Sequence, residues 1–565
     1  MAGGTWIDQN KVCPGVYINY SSAPASLASM GDRGVVCIAK SLNWGVTDEF
    51  ITIEDPTEAF EKLGYDQMSD EMIWLRQLLV GTDRSSGASK ILVWRLGADG
   101  GAKASATQAK IIPAVAATVT IGNLVCTAAT PGTAGNNLSI KVTANDTKFD
   151  VSIYTSGSLG GTISGLSTVE ELITAATTSE VAPLFSPVVF SGSGALSASS
   201  GDTGAALTGG AAESTDSSCS LTITAQCEGT RGNDLSVIIT PDPDNTATRT
   251  IYYVQTLVSG SLVDSQTLKS DSSSVALSGL VDNDWVKFAP TGNAFAASIT
   301  LAGGANGTPS ATGYSDFMSA SELKSWNILA YGGTDPVIKS ALKSFVLRLA
   351  NDEGKKVQAC LWNYPSSDNE CVISTNPQKF TDLSGHKLTE EEMVCWAAGS
   401  EAGASVSQSL TYAAHPDAVA VDPVLTSSQQ IEALNAGQLA FISDEDGKIK
   451  ILQDNNTFTS FTATKGKAFR KNRVIRTIFG LANDIYRLFA KSYIGNTNND
   501  DFGRSLLKSE ILELMIRYQG NSALQNVVAD DVTVSPGADS DAVVIEVYCQ
   551  PVDSIEKIYI NITIS

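Results

Sequence analysis

Apolar and polar residues alternate strictly along Lys557-Ile-Tyr-Ile-Asn-Ile-Thr-Ile564. Ile558, Ile560, Ile562 and Ile564 share one face, and Tyr559, Asn561 and Thr563 the other. This period of two predicts a half-buried strand. No turn follows it, so its partner has to come from earlier in the chain or from another molecule, and strand addition across subunits suits it. Near the other end, Pro14-Gly-Val16-Tyr17-Ile18-Asn-Tyr20 follows a polar leader and precedes the small-residue run 21–26, which predicts a short strand on a flexible arm. A chain with a pairing strand at both ends is suited to linking copies of itself.

Between the ends the period changes several times. Gly34-Val-Val-Cys-Ile-Ala39 is continuously apolar, as in a strand buried on both faces. Helical spacing over 56–63, opened by Asp55-Pro56, and over 70–79 leads to a second such strand, Ile91-Leu-Val-Trp-Arg-Leu96. Residues 23–101 therefore read as the first part of an α/β layer, after an arm at 1–22.

From 102 to 310 the chain turns to Ser, Thr, Gly, Ala and Val, and residues 124–143 align without gaps on 221–240. Both copies carry Gly-Thr-x-Gly-Asn-[Asn/Asp]-Leu-Ser, and they close alike on Leu207-Thr-Gly-Gly-Ala211 and Leu301-Ala-Gly-Gly-Ala305. We expect two tandem β-sandwich modules, 102–212 and 213–310. The glycine motif lacks the Gly-Lys-[Ser/Thr] ending and following helix of a phosphate cradle, so it reads as a hairpin turn with glycines at positive φ.

The α/β pattern resumes over 311–460. A strand at 326–330, a helix at 335–351 with Val337, Ile338, Leu342, Phe345, Val346 and Leu349 apolar, and a strand at 357–362 make a βαβ unit. Helices at 390–402 and from Thr426, and a hairpin at Asp446-Gly447, continue it. The last part, 461–565, predicts a long amphipathic helix through Val474, Ile475, Ile478, Phe479, Ala482, Ile485, Tyr486 and Phe489, a second through Leu507 to Tyr518, and two closing strands.

Composition narrows the function. A chain of 565 residues exceeds a single core. Its net charge of −22 argues against a general binder of nucleic acid or anionic membrane. No run of 18 apolar residues and no apolar leader is present, so neither membrane insertion nor export by a signal peptide is expected. The nine cysteines include no Cys-x-x-Cys, which points to reduced thiols. His386 and His415 are the only histidines, neither in metal or triad spacing, and there is no Gly-x-Ser-x-Gly elbow. Catalytic, cofactor and metal residues are therefore assigned to none, no cofactor is expected, and Asp444-Glu445-Asp446 reads as a turn. Lys465, Lys467, Arg470, Lys471, Arg473 and Arg476 place six positive charges within twelve residues, at a helix start where the dipole opposes them.

Several phrases together resemble the contractile tail sheath proteins of bacteriophages and phage-tail-like particles. They are Gly3-Gly-Thr-Trp6, Pro14-Gly-Val-Tyr-Ile-Asn19, Asp32-Arg-Gly-Val35, Asn43-Trp-Gly45, Glu228-Gly-Thr-Arg-Gly-Asn-Asp-Leu235, Phe441-Ile-Ser-Asp-Glu-Asp-Gly447, Arg473-Val-Ile-Arg-Thr-Ile478 and Asp553-Ser-Ile-Glu-Lys-Ile-Tyr-Ile560. The resemblance implies an α/β core of subtilisin-like topology, an inserted β-sandwich (here doubled), and an α+β C-terminal domain near an inner tube. It also implies hexameric rings stacked as a helical polymer, with the tube protein, baseplate and tail terminator proteins as partners and neither nucleic acid nor membrane as a direct one. Such a sleeve belongs to a virion or tail-like particle assembled in the host cytoplasm, and it contracts to drive the tube through an envelope. Under that reading Val16, Tyr17, Ile18, Ile558, Ile560, Ile562 and Ile564 are inter-subunit strand positions. Lys467, Arg470, Lys471, Arg473 and Arg476 then meet acidic groups of the tube or of a neighbour. An adhesin or surface array built on the sandwiches is the alternative.

Overall fold

The computed structural model describes residues 2–4, 15–17, 33–96, 98–309 and 312–563. The chain divides into two compact units, one of residues 1–101 with 306–565 and one of residues 102–305.

The first unit is built on a seven-stranded sheet. Its strands are β1 (Val35–Lys40), β2 (Phe50–Ile53), β3 (Lys90–Arg95), β4 (Ile328–Tyr331), β5 (Gln358–Trp362), β6 (Val372–Thr375) and β7 (Gln438–Leu439), in the order β7-β6-β5-β4-β1-β3-β2. All neighbours run parallel except β2, which pairs antiparallel with β3. Alternate side chains enter different cores. Val36, Ile38, Ile91 and Val93 pack with Trp74, Leu78, Trp396 and Phe441, whereas Cys37, Leu92, Trp94 and Leu329 pack with Phe317, Leu342, Phe345 and Leu349. Covering both faces is why these strands read as unbroken apolar runs.

Helix α1 (Pro336–Asn351), capped by the Asp335 side chain, covers the second face. Helix α2 (Glu390–Gly403) covers the first and is buried from Met393 to Ala402 on every side. It is not amphipathic because the core surrounds it. A Cβ on Gly399 would fall 2.1 Å from the Leu78 carbonyl oxygen, so the glycine lets α2 lie directly on helix Ile73–Val80.

Toward the C-terminus, α3 (Asn472–Ser492) and α4 (Asp501–Gly520) enclose Leu481, Leu488, Leu507, Ile511, Leu514 and Tyr518. Tyr486, counted on the apolar face from spacing, is instead exposed. A two-stranded hairpin, β8 (Val532–Pro536) with β9 (Val543–Val547), packs Val532 on this core.

The second unit contains two sandwiches with equivalent sheets. Strands Ser158–Leu166, Lys148–Thr155, Leu138–Asn145 and Ala205–Ala206 repeat as Ser261–Ser270, Thr250–Val258, Leu235–Pro241 and Ala297–Thr300. The three-stranded sheets correspond likewise, but Lys103–Ile112, at the head of the first repeat in sequence, pairs with Ser214–Glu228 of the second. Residues 113–212 are thus threaded between the first two strands of the other sandwich. Helix Val169–Thr178, present only in the first copy, was not foreseen.

The repeated motif holds each sandwich closed. Gly132 and Gly229 have φ of 121° and 123°, and each opens a 3-10 turn rather than a two-residue hairpin. Asn136 donates to the Gly210 carbonyl (2.8 Å) and accepts from the Gly210 amide (2.9 Å). Asn233 makes the same pair with Gly304, at 3.0 and 2.8 Å.

Candidate functional site

The C-terminal segment leaves the body as an extended chain without a ladder partner among the described residues. Ile558, Tyr559, Ile560 and Ile562 are between 75% and 90% exposed, and Ile564 lies outside the described residues. Of the strand expected over 557–564, the described residues 557–563 are therefore extended but unpaired. An apolar row this exposed carries free energy that only a covering partner recovers, about 1.5–3 kcal/mol for each fully buried isoleucine.

Its root, by contrast, is fixed. The Val552 amide donates to the Ala523 carbonyl and the Gln525 amide to that of Gln550, both at 3.0 Å. Lys471 bridges Asp553 (2.6 Å) and Glu556 (3.2 Å). Glu556 also accepts from the Thr411 hydroxyl (3.0 Å) and the Gln453 amide (2.7 Å). Burial alone would raise the Glu556 carboxyl, but the Gln453 and Lys471 donors hold it below its ordinary range.

At the other end, Gly15–Tyr17 pairs in parallel with Ala2–Gly4 of the same chain, so Val16 and Tyr17 lie in a strand; Ile18 lies outside the described residues. Ahead of β1, Arg33 reaches the C-terminal helices. Its guanidinium donates to Asp484 of α3 (3.4 Å) and to the Tyr518 hydroxyl of α4. Tyr518 in turn donates to Asp484 (2.7 Å). Gly480 makes room for this, since a Cβ there would fall 2.4 Å from the Arg33 nitrogens.

The basic cluster divides in two. Arg476 pairs with the buried Glu401 and lies 3.7 Å from Asp454, and it donates to the Gln408 carbonyl (2.6 Å). Asn472 adds a 3.0 Å bond to Glu401. Burial and then the neighbouring Asp454 push the Glu401 carboxyl well above its usual range, and the Arg476 guanidinium works against that shift. Arg476 and Lys471 are thus committed inside the subunit, contrary to the expectation that all five basic residues face outward. Lys465 also pairs internally, with Glu370. Lys467 is exposed, and Arg470 and Arg473 are half-buried, with buried guanidinium nitrogens that have no hydrogen-bond partner among the described residues.

Both histidines are held by hydrogen bonds within the fold. His415 Nδ1 accepts from the Asp417 and Ala418 amides (3.1 Å each), and Nε2 faces Gln77 Oε1 at 2.9 Å. Burial pushes its pKa down to about 4. His386 sits 3.0 Å from Glu392 at the α2 capping box. Sequence reasoning missed Arg33, Gln453 and Glu556 as anchors. Arg33 and Glu556 lie within stretches that carry the family resemblance, but their anchoring partners are far away in sequence.

An exposed apolar segment tied to the body at its root is the kind of surface that marks a protein–protein contact. The comparisons with known proteins agree and define it further: this chain belongs to the phage tail sheath family. Four family profiles match along it. They are the tail sheath protein Gp18 domain III N-terminal region at 33–96, the phage tail sheath β-sandwich domain at 208–306, the central domain at 307–457 and the C-terminal domain at 464–565. A solved sheath tail protein from Desulfitobacterium hafniense is 33% identical, covers 97% of this chain and 99% of its own, and superposes with a TM-score of 0.64. One from Listeria innocua, 21% identical over 94% of this chain and 95% of its own with a TM-score of 0.62, shares the fold. The phage-like element PBSX protein XkdK of Bacillus subtilis (strain 168) is 29% identical over 64% of this chain and 81% of its own length. The protein is thus a structural component of a contractile tail sheath.

Proposed function

We propose that copies of this chain form hexameric rings stacked around an inner tail tube, joined by strand addition at the chain ends. The observation that carries this is the terminal segment, apolar and exposed beyond Glu556 yet anchored at its root. Hairpin β8-β9 is a suitable acceptor, because a two-stranded ribbon leaves both edges open to added strands. Ile558, Ile560, Ile562 and Ile564 of one copy, and Val16, Tyr17 and Ile18 of another, would supply them.

Contraction then follows as a change between two packings of the same subunits. The linked ends keep rings connected while the bodies rotate and re-dock, and the difference in packing free energy drives the tube forward without a nucleotide. Lys467, Arg470 and Arg473 serve contacts with acidic groups of the tube or a neighbouring copy, whereas Lys471 and Arg476 brace the fold beneath them. Baseplate and terminator proteins bound the sleeve, and assembly takes place in the host cytoplasm before release of a virion or tail-like particle. The role is mechanical rather than catalytic, and the subtilisin-like label implied for the core concerns topology alone.

Electron microscopy of purified full-length chain and of a chain lacking residues 557–565 tests this. The full chain should form polysheath tubes and the truncated one folded monomers. Tubes from the truncated chain would refute the strand linkage.

A further inference from the structure

A crevice of about 540 Å3 opens at the carboxyl ends of β1, β3 and β4, bordered by Lys40, Leu96, Tyr314, Tyr331, Glu390 and Glu391. Its position follows from the topology. After β1 the chain builds β2 and β3 on one side of it, whereas β4 joins the other side and β5, β6 and β7 continue away. Crossovers leave in opposite directions at the β1/β4 boundary, and in open α/β sheets ligands bind in the gap this leaves. The volume falls in the range of small-molecule sites, roughly 300–1,000 Å3.

The walls are chemically specific. Tyr314 and Tyr331 form a perpendicular pair with ring centroids 5.5 Å apart. Across from them stands the first turn of α2, with Glu390 and Glu391. The two sides are as close as backbone allows, since a Cβ on Gly332 would fall 2.2 Å from the Glu391 Cα. Lys40, the cation of the lining, is spent on Glu391 (2.8 Å) and lies over the Trp74 ring at 5.2 Å. Glu390 is paired from outside by Lys379 (2.7 Å). A carboxylate has about four acceptor positions, more than the single lysine contact made by each of these two. The local field is negative: burial first, then Tyr331, Glu391 and Asp335, raise the Tyr314 phenol, and burial and then Asp335 raise that of Tyr331.

We propose that this crevice binds a small organic cation, a guanidinium or alkylammonium group, stacked on Tyr314 and facing Glu390 and Glu391. Aromatic faces beside carboxylates are the arrangement that recognises such cations. The group arrives either as a free solute or as an arginine or lysine side chain of a second copy. Nothing in the proposal depends on the strand linkage.

Calorimetric titration of the full chain with arginine amide and with spermidine, with sodium glutamate as control, tests it. Saturable binding of at least one cation is expected. Tyr314→Leu and Glu390→Gln should each weaken it about tenfold, the scale of one cation–π or charge contact. Lys40→Met should tighten it several-fold, because it removes the like charge and frees Glu391. The opposite sign for this variant separates site chemistry from misfolding. Hydrogen exchange at residues 332–334 distinguishes the sources. Protection that appears on assembly and is reversed by arginine amide identifies a neighbour's side chain; binding by the monomer without such protection identifies a free solute. No saturable binding up to about 10 mM, or equal binding of glutamate, overturns the proposal, as does affinity indifferent to all three substitutions.

Discussion

Replacing Glu556 by glutamine isolates the anchor at the root of the terminal segment, because the shape is kept while the charge and one acceptor oxygen are lost. In the native chain the carboxylate takes bonds from Thr411 (3.0 Å), Gln453 (2.7 Å), Lys471 (3.2 Å) and the Ser554 hydroxyl (3.2 Å). The Glu556 side chain is only 9% exposed, so solvent screens little of this. Glutamine can keep its oxygen toward Gln453 and Lys471 only by turning its NH2 group to the side where the Thr411 and Ser554 hydroxyls now donate, and in either orientation the charge that pairs with Lys471 is lost. Bonds to charged groups contribute roughly 1.5–3 kcal/mol each, and a local loss of about 2 kcal/mol is a conservative sum once relaxation is allowed. That corresponds to about a 30-fold rise in local opening. Exchange of the Val552 and Gln525 amides reads it directly, because their bonds tie the root to the body. We expect both to accelerate about 30-fold while amides of α4 stay unchanged. Unchanged exchange at Val552 and Gln525 would refute the anchor, and uniform acceleration everywhere would assign Glu556 to global stability instead. The pH dependence has a definite sign. The folded carboxyl lies below its ordinary value of 4.5, so its contribution is full above that value and disappears as pH falls through the lower folded one.

Three other perturbations probe separate parts of the chain. Gly480→Ala would gain helix propensity of about 1 kcal/mol at a neutral site, yet here it should lower stability by roughly 1–2 kcal/mol by displacing Arg33 from Asp484, read as a lower urea midpoint; a raised midpoint would contradict the close approach. Asn233→Ala and Asn136→Ala each delete two bonds to a closing glycine and should cost roughly 1–3 kcal/mol apiece in calorimetry of the full chain, and a silent Asn136 variant would break the equivalence of the two sandwiches. His415 is held neutral, with its pKa near 4 instead of 6.5, so the unfolded chain binds the extra proton between those values and stability falls as pH drops from 6.5 toward 4. The total is on the order of 3 kcal/mol, and His415→Gln should flatten the slope of unfolding midpoint against pH across that window; an unchanged slope would mean that another group titrates there.

Local pattern was enough to find the sheath family and most of its elements. Apolar runs marked β1, β3 and β5 because both faces of the sheet are covered, and α1 and α3 were legible because each presents a single apolar stripe. The offset of 97 residues between the sandwich motifs was a property of the sequence alone. Only the fold could show that Lys103–Ile112 crosses to the second sandwich, because β-pairing between distant segments leaves no trace in either segment's own periodicity. The same reason divides the basic cluster: spacing placed six charges together, but whether each meets solvent or a buried carboxylate depended on Glu401, Asp454 and Glu556, which the fold brings in from elsewhere in the chain. The terminal strand is the converse case. Its alternation predicts a strand, whereas residues 557–563 are extended with no ladder partner among the described residues, and only the tertiary structure, through contacts distant in sequence, determined that the segment is anchored at Glu556.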